Sequence, residues 1–102
     1  MKQVKGLKNN TETIWHLYLI RLKNGTLYTG ISTDVERRFG EHKKGKGAKF
    51  LRGREELELV FNCPVGDRSS ALKIEAAIKK LPKQKKEALI SGNLAIDELL
   101  TG

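Results

Sequence analysis

One cysteine, two prolines and two histidines in 102 residues close off several chemistries before any motif is sought. Cys63 alone cannot form an intrachain disulfide, and with only His16 and His42 beside it a structural zinc site lacks ligands. No apolar run approaches the roughly 18–20 residues needed to span a bilayer. Residues 1–13 are polar and basic, without the hydrophobic segment of a secretory signal. They are expected to form a disordered arm ahead of one domain over 14–91, with a short C-terminal helix in 92–102. Cytoplasmic residence and a monomeric state are the matching expectations. Acid is scarce too, with 12 Asp and Glu against 20 Lys and Arg and a formal net charge of +8. Such a balance attracts polyanions, nucleic acid first among them, and leaves catalysis open.

What is present is patterned as α+β. Two β-rich apolar runs between Ile14 and Ile31 flank Lys23-Asn24-Gly25, a hairpin signal. A two-residue Asn24-Gly25 turn pairs Leu22 with Leu27 and parts Tyr18 from Tyr28. A three-residue loop, with Gly25 in a left-handed bulge, pairs Leu22 with Thr26 instead. Trp15, Leu17, Leu19, Leu27, Thr29 and Ile31 then share a core face, and Tyr18, Ile20, Tyr28 and Gly30 share the non-core face. Register follows the hydrophobic pattern, which favours the three-residue loop.

Thr33-Asp34-Val35-Glu36 reads as a capping box opening a helix anchored by Val35 and Phe39 and ended by Gly45 and Gly47. Leu57, Leu59 and Phe61 alternate with Glu56, Glu58, Val60 and Asn62 as a third strand, stopped by Pro64-Val65-Gly66. Ser69 or Ser70 caps a helix to about Leu81. Pro82 suits the first turn of the next, which Gly92 closes, and Asn93 caps a last short one ending near Leu100. The order predicts a small three-stranded antiparallel or mixed sheet flanked by helices.

Five residues stand out for chemistry. Arg38 and His42, four apart, share a helix face beside the Val35–Phe39 stripe, while Arg37 points to water. An arginine there can fork onto a phosphate, or be a surface residue beside a packed histidine. Glu75 falls within the apolar arc drawn by Ala71, Leu72, Ile74, Ile78 and Leu81. A carboxylate there needs a cation, either a hard metal ion such as Mg²⁺ or Mn²⁺ or a basic side chain such as Lys79 or Arg38. Tyr18 and Tyr28 either pack or orient a water. Lys43, Lys44, Lys46, Lys49, Arg52 and Arg54 form an acid-free, glycine-rich segment able to meet a phosphate chain or simply to be solvated.

Together these residues resemble the GIY-YIG nucleases. Leu17-Tyr18-Leu19 stands ten residues before Tyr28-Thr29-Gly30, Arg38 follows Gly30 by eight, His42 by four more, and Glu75 lies in a later helix. The stretches Tyr28 to Arg38 and Gly45-Lys46-Gly47-Ala48-Lys49 are similar to the small stand-alone YhbQ-like branch. The resemblance implies a metal-dependent nuclease hydrolysing DNA, an endonuclease of repair or recombination, with a non-catalytic DNA- or RNA-binding module as the alternative. It implies one Mg²⁺ or Mn²⁺ on Glu75, and Tyr18, helped by Tyr28 and His42, acting on the attacking water. Arg38 would steady the phosphate oxygens, and Gly30 would leave room for the phosphate. Lys79 joins the basic segment among the nucleic-acid contacts, and a targeting protein is a further implied partner. His16 departs from the family's first motif, which has glycine there, and Thr29 from the isoleucine of the second.

Overall fold

The structure, a computed structural model, describes residues 13–53 and 56–101. All but Thr13 of the expected N-terminal arm therefore lies outside the described residues, as does Arg54. Three strands form one sheet: β1 (Trp15–Arg21), β2 (Leu27–Ser32) and β3 (Glu58–Gly66), with β1 in the centre and antiparallel to both neighbours. Between β2 and β3 run helix α1 (Val35–Lys43) and a 3₁₀ turn at Lys49–Leu51. Helices α2 (Arg68–Lys79), α3 (Lys83–Ser91) and α4 (Ile96–Thr101) follow.

The β1–β2 connection is the three-residue loop. Leu22 N–H donates to Thr26 O and Gly25 N–H to Leu22 O, both at 2.8 Å, and Gly25 takes φ +91°. That left-handed backbone is what glycine supplies in a bulged hairpin loop. The resulting register sets Leu17 opposite Ile31, Tyr18 opposite Gly30 and Leu19 opposite Thr29.

Both faces of β1 are buried, which corrects the expectation of one core face and one non-core face. Leu17, Tyr18, Leu19 and Ile20 are all 1% exposed or less. Leu17 and Leu19 pack with Ile74 and Ile78 of α2 and Leu89 of α3. Tyr18, Ile20 and Leu22 pack on the other side with Val35 and Leu51. A central strand covered twice has a continuous apolar run in place of alternation. Leu72, placed in the α2 apolar arc by the sequence pattern, is instead 41% exposed.

Several boundaries move for local reasons. Asp34, not Thr33, caps α1 by accepting from Arg37 N–H at 3.1 Å, and its own N–H donates to Ser32 Oγ at 2.9 Å. Asp67, not Ser69 or Ser70, caps α2 by accepting from Ser70 N–H at 2.8 Å. A carboxylate also suits the positive end of a helix dipole. Pro82 is the residue before α3 rather than its first turn, and Asn93 donates to Ser91 Oγ while α4 begins at Ile96. β3 runs through Pro64 to Gly66, since an edge strand tolerates a residue without an N–H. The β1–β3 register shifts between Leu19 and Ile20, so Leu59 faces the Tyr18 cluster and Phe61 the Leu17 cluster. Arg21 forks onto Glu87 at 2.6 and 2.9 Å and so pins the end of β1 to α3.

Candidate active site

The site grows from the second core, where Tyr18 crosses β2. A Cβ on Gly30 would stand 2.5 Å from both Cζ and Oη of Tyr18. The ring therefore lies over the glycine. The room expected there for a phosphate is filled by the phenol, and Gly30 acts by letting Tyr18 in.

The Tyr18 hydroxyl ends on His42, 2.9 Å from Nε2. His42 comes from the inner face of α1 and is 1% exposed. Its Nδ1 accepts the Ala48 backbone N–H at 3.1 Å. Tyr28 completes a ring cluster, its centroid 6.4 Å from Tyr18 and 5.7 Å from His42, which it meets edge-on. Phe50 stacks on Tyr28 at 6.2 Å with 14° between the planes.

Charge surrounds these rings. Arg38 donates to Glu41 at 3.0 Å, while Arg37, 61% exposed, takes the other Glu41 oxygen at 2.7 Å. Burial pushes the Tyr18 phenol up to about 12, with Tyr28 and Glu75 adding to the rise. The Arg38 guanidinium, by charge and hydrogen bonding, pulls the other way. Burial raises Tyr28 as well, against the charges of Lys79 and Arg38. Burial lowers the His42 imidazole below its ordinary value, helped by Arg38 and opposed by Glu41.

Tyr18, Tyr28 and His42 are thus in mutual contact, with Arg38 at the phenol. Glu75 joins them through its charge, and its ion-pair partner is Lys79 Nζ at 3.3 Å. Lys43, Lys44, Lys46, Lys49 and Arg52 are exposed, and Lys43 also lies 5.0 Å over the Phe39 ring. His16 shares the Tyr18 face of β1, with a buried Nδ1 that has no hydrogen-bond partner among the described residues. From the sequence, no site role falls to Glu41, Gly47 or Ala48. Glu41 was findable, standing four and three residues after two arginines. A backbone donor such as Ala48 N–H leaves no mark in side-chain identity.

The donor set discriminates among metals. No group of three or more His, Cys, Asp or Glu gathers among the described residues, so a closed protein cage is not on offer. Mg²⁺ keeps several waters and binds through one or two carboxylates plus substrate phosphate. Glu75, with 19% side-chain exposure and an exposed lysine as its only ion-pair partner among the described residues, fits that need.

No helix among the described residues is long and apolar enough to cross a membrane. The GIY-YIG catalytic domain family matches residues 14–88. UPF0213 proteins of Yersinia pestis and Yersinia pseudotuberculosis are each 59% identical over 80 residues, 78% of this chain and 84% of theirs. The solution NMR structure of a UPF0213 protein from Bacillus halodurans is similar at 38% identity and TM-score 0.52, covering 86% of this chain and 94% of that one. A second NMR structure, from E. faecalis, is similar at 34% identity and TM-score 0.56, over 78% of this chain and 84% of that one. With the family model spanning most of the chain and relatives this similar in sequence and fold, this chain belongs to the GIY-YIG family, among its UPF0213 proteins.

Proposed function

We propose that this protein is a metal-dependent endonuclease that hydrolyses DNA phosphodiester bonds in repair or recombination. The observation that carries the reading is the buried Tyr18–His42 hydrogen bond, with Arg38 at the phenol and the Glu75 charge acting on both tyrosines. A packing tyrosine needs no such company. Family membership supports the nuclease class, and the +8 charge with the exposed lysines after His42 suits a polyanionic substrate.

In this reading Tyr18 holds the attacking water and, as the phenolate, takes its proton, Tyr28 and His42 fix the phenol, and Arg38 faces the charge that builds on the phosphate oxygens. Glu75 would hold a single Mg²⁺ or Mn²⁺, which as a Lewis acid would draw charge from the scissile phosphate. Lys79 would release Glu75 and turn to a phosphate, at little expense for a pair with an exposed lysine. Lys43, Lys44, Lys46, Lys49, Arg52 and Arg54 would meet the flanking phosphates. The protein would work as a cytoplasmic monomer, brought to its target by a partner protein.

The test is cleavage of duplex, single-stranded, flapped and branched DNA with Mg²⁺ or Mn²⁺ and with chelator. Metal-dependent nicking that disappears in Glu75→Ala and Arg38→Ala, with DNA binding retained, is the expected result. No cleavage on any of these substrates would leave a nucleic-acid-binding module.

A further inference from the structure

We infer that the Gly47–Ala48 turn is a positioning element of the site, its backbone fixing His42 as a hydrogen-bond donor to Tyr18. The inference deepens the nuclease reading and rests on it for its catalytic meaning, though the hydrogen-bond direction stands by itself.

Donor and acceptor chemistry sets the tautomer of His42. A backbone N–H can only donate, so the 3.1 Å contact from Ala48 N makes Nδ1 of His42 an acceptor. An accepting ring nitrogen carries a lone pair and no proton, and a neutral imidazole has one N–H. That proton is therefore on Nε2. The 2.9 Å contact with Tyr18 must then run from Nε2–H to the phenolic oxygen. A second proton on the ring would set Nδ1–H against Ala48 N–H, inside a pocket where His42 is 1% exposed and Arg38 adds positive charge.

Two consequences follow. His42 cannot be the base that takes the Tyr18 proton, because neither nitrogen is free to accept it. It instead supplies a hydrogen bond to the phenolic oxygen, which stabilises negative charge there and turns the Tyr18 proton away from His42. Arg38 donates to the phenolic oxygen as well, and the proton of Tyr18 is left for a water or a phosphate oxygen.

Gly47 makes this possible by lacking a side chain. It is buried, and a Cβ there would fall on His42 Nδ1 and lie 2.7 Å from Cε1 and 2.9 Å from Cγ. The turn is held from its other end, where Leu51 N–H donates to Ala48 O at 2.9 Å and Leu51 packs beside Tyr18. Lys46 and Lys49 flank the turn. The segment that offers ammonium groups to a phosphate chain thus also sets the direction of the hydrogen bond on Tyr18.

The decisive experiment is ¹⁵N NMR of the imidazole nitrogens in the full chain, where His16 is the only other histidine. The expected spectrum has His42 with unprotonated Nδ1 and protonated Nε2, and scalar coupling between Nδ1 and the Ala48 amide nitrogen. A protonated Nδ1, or exchange between tautomers, overturns the inference. Gly47→Ala provides the second arm, expected to abolish the tautomer preference. Turnover on DNA should fall on the order of a hundredfold, as for a misplaced reacting group, with KM nearly unchanged because no phosphate contact is lost. Gly47→Ala that keeps both the tautomer and turnover also overturns it. If the wild type cut no DNA, the nuclease reading would fall while the wild-type spectrum still decided the hydrogen-bond direction.

Discussion

The ring of Tyr18 lies over Gly30, so closely that the two residues share the space a β-carbon would need. Glycine opposite an aromatic is usually weak packing in a strand, but here the aromatic closes over the gap and carries its hydroxyl to His42. Gly30→Ala should therefore act as an overpacking change, costing about 1–3 kcal/mol in urea unfolding. The displaced phenol should also lower DNA cleavage on the order of a hundredfold. Stability and rate both equal to wild type would mean that the ring can sit elsewhere without loss.

Tyr18 gives a pH signature. With burial holding its phenol near 12, a rate that depends on the phenolate should climb about tenfold per pH unit from 7 to 9 without levelling. Tyr18→Phe should lose cleavage and remain folded, apart from the His42 Nε2–H left without its acceptor. A plateau below pH 8, measured under single-turnover conditions, would assign the base to another group. The raised value also acts on stability. The folded chain holds the Tyr18 proton more tightly than the unfolded chain, so this contribution is complete below pH 10 and is lost as pH rises towards 12.

Much of this site was legible in residue order. The Tyr18–Gly30 pairing followed from the three-residue loop at Lys23–Gly25, because a two-residue turn there would put Tyr18 and Tyr28 on opposite faces. What escaped reading depends on neighbours distant in sequence. The bulge opposite Leu19–Ile20 splits Leu59 from Phe61 only because β3 must serve two cores. Leu17-Tyr18-Leu19-Ile20 looks like one face plus another until α1 and the 3₁₀ turn are seen to cover the second. Glu75 was readable as an acid on an apolar arc, but its approach to the tyrosines needs the placement of α2 against the sheet. Ala48 acts through a backbone N–H, which every residue but proline has.

His42 should register acid. Its folded-state pKa is lowered by burial, so below its unfolded value of about 6.5 the unfolded chain takes up a proton that the folded chain refuses. Its contribution is present above about pH 6.5 and is lost as pH falls through the folded value. Urea unfolding between pH 7 and 5 should show stability declining with a slope of at most about 1.4 kcal/mol per pH unit from this group. His42→Gln should flatten that part of the profile. An unchanged slope in the variant would remove His42 as its source.

Thr29 offers the opposite kind of change. Its side chain is 3% exposed on the face of β2 that meets α2, and its Oγ1 is buried with no hydrogen-bond partner among the described residues. An unpaired buried hydroxyl costs free energy that an apolar group of the same shape does not. Valine replaces the hydroxyl with a methyl and keeps the β-branch suited to a strand. Thr29→Val should therefore stabilise the fold by up to about 1 kcal/mol, read as a higher urea midpoint with unchanged slope. Because Thr29 faces away from Tyr18, cleavage at 25 °C should stay within about twofold of wild type, as expected for a change that leaves the reacting groups in place. A destabilised variant would show that the hydroxyl finds a partner in solution, most simply an internal water, which the methyl evicts.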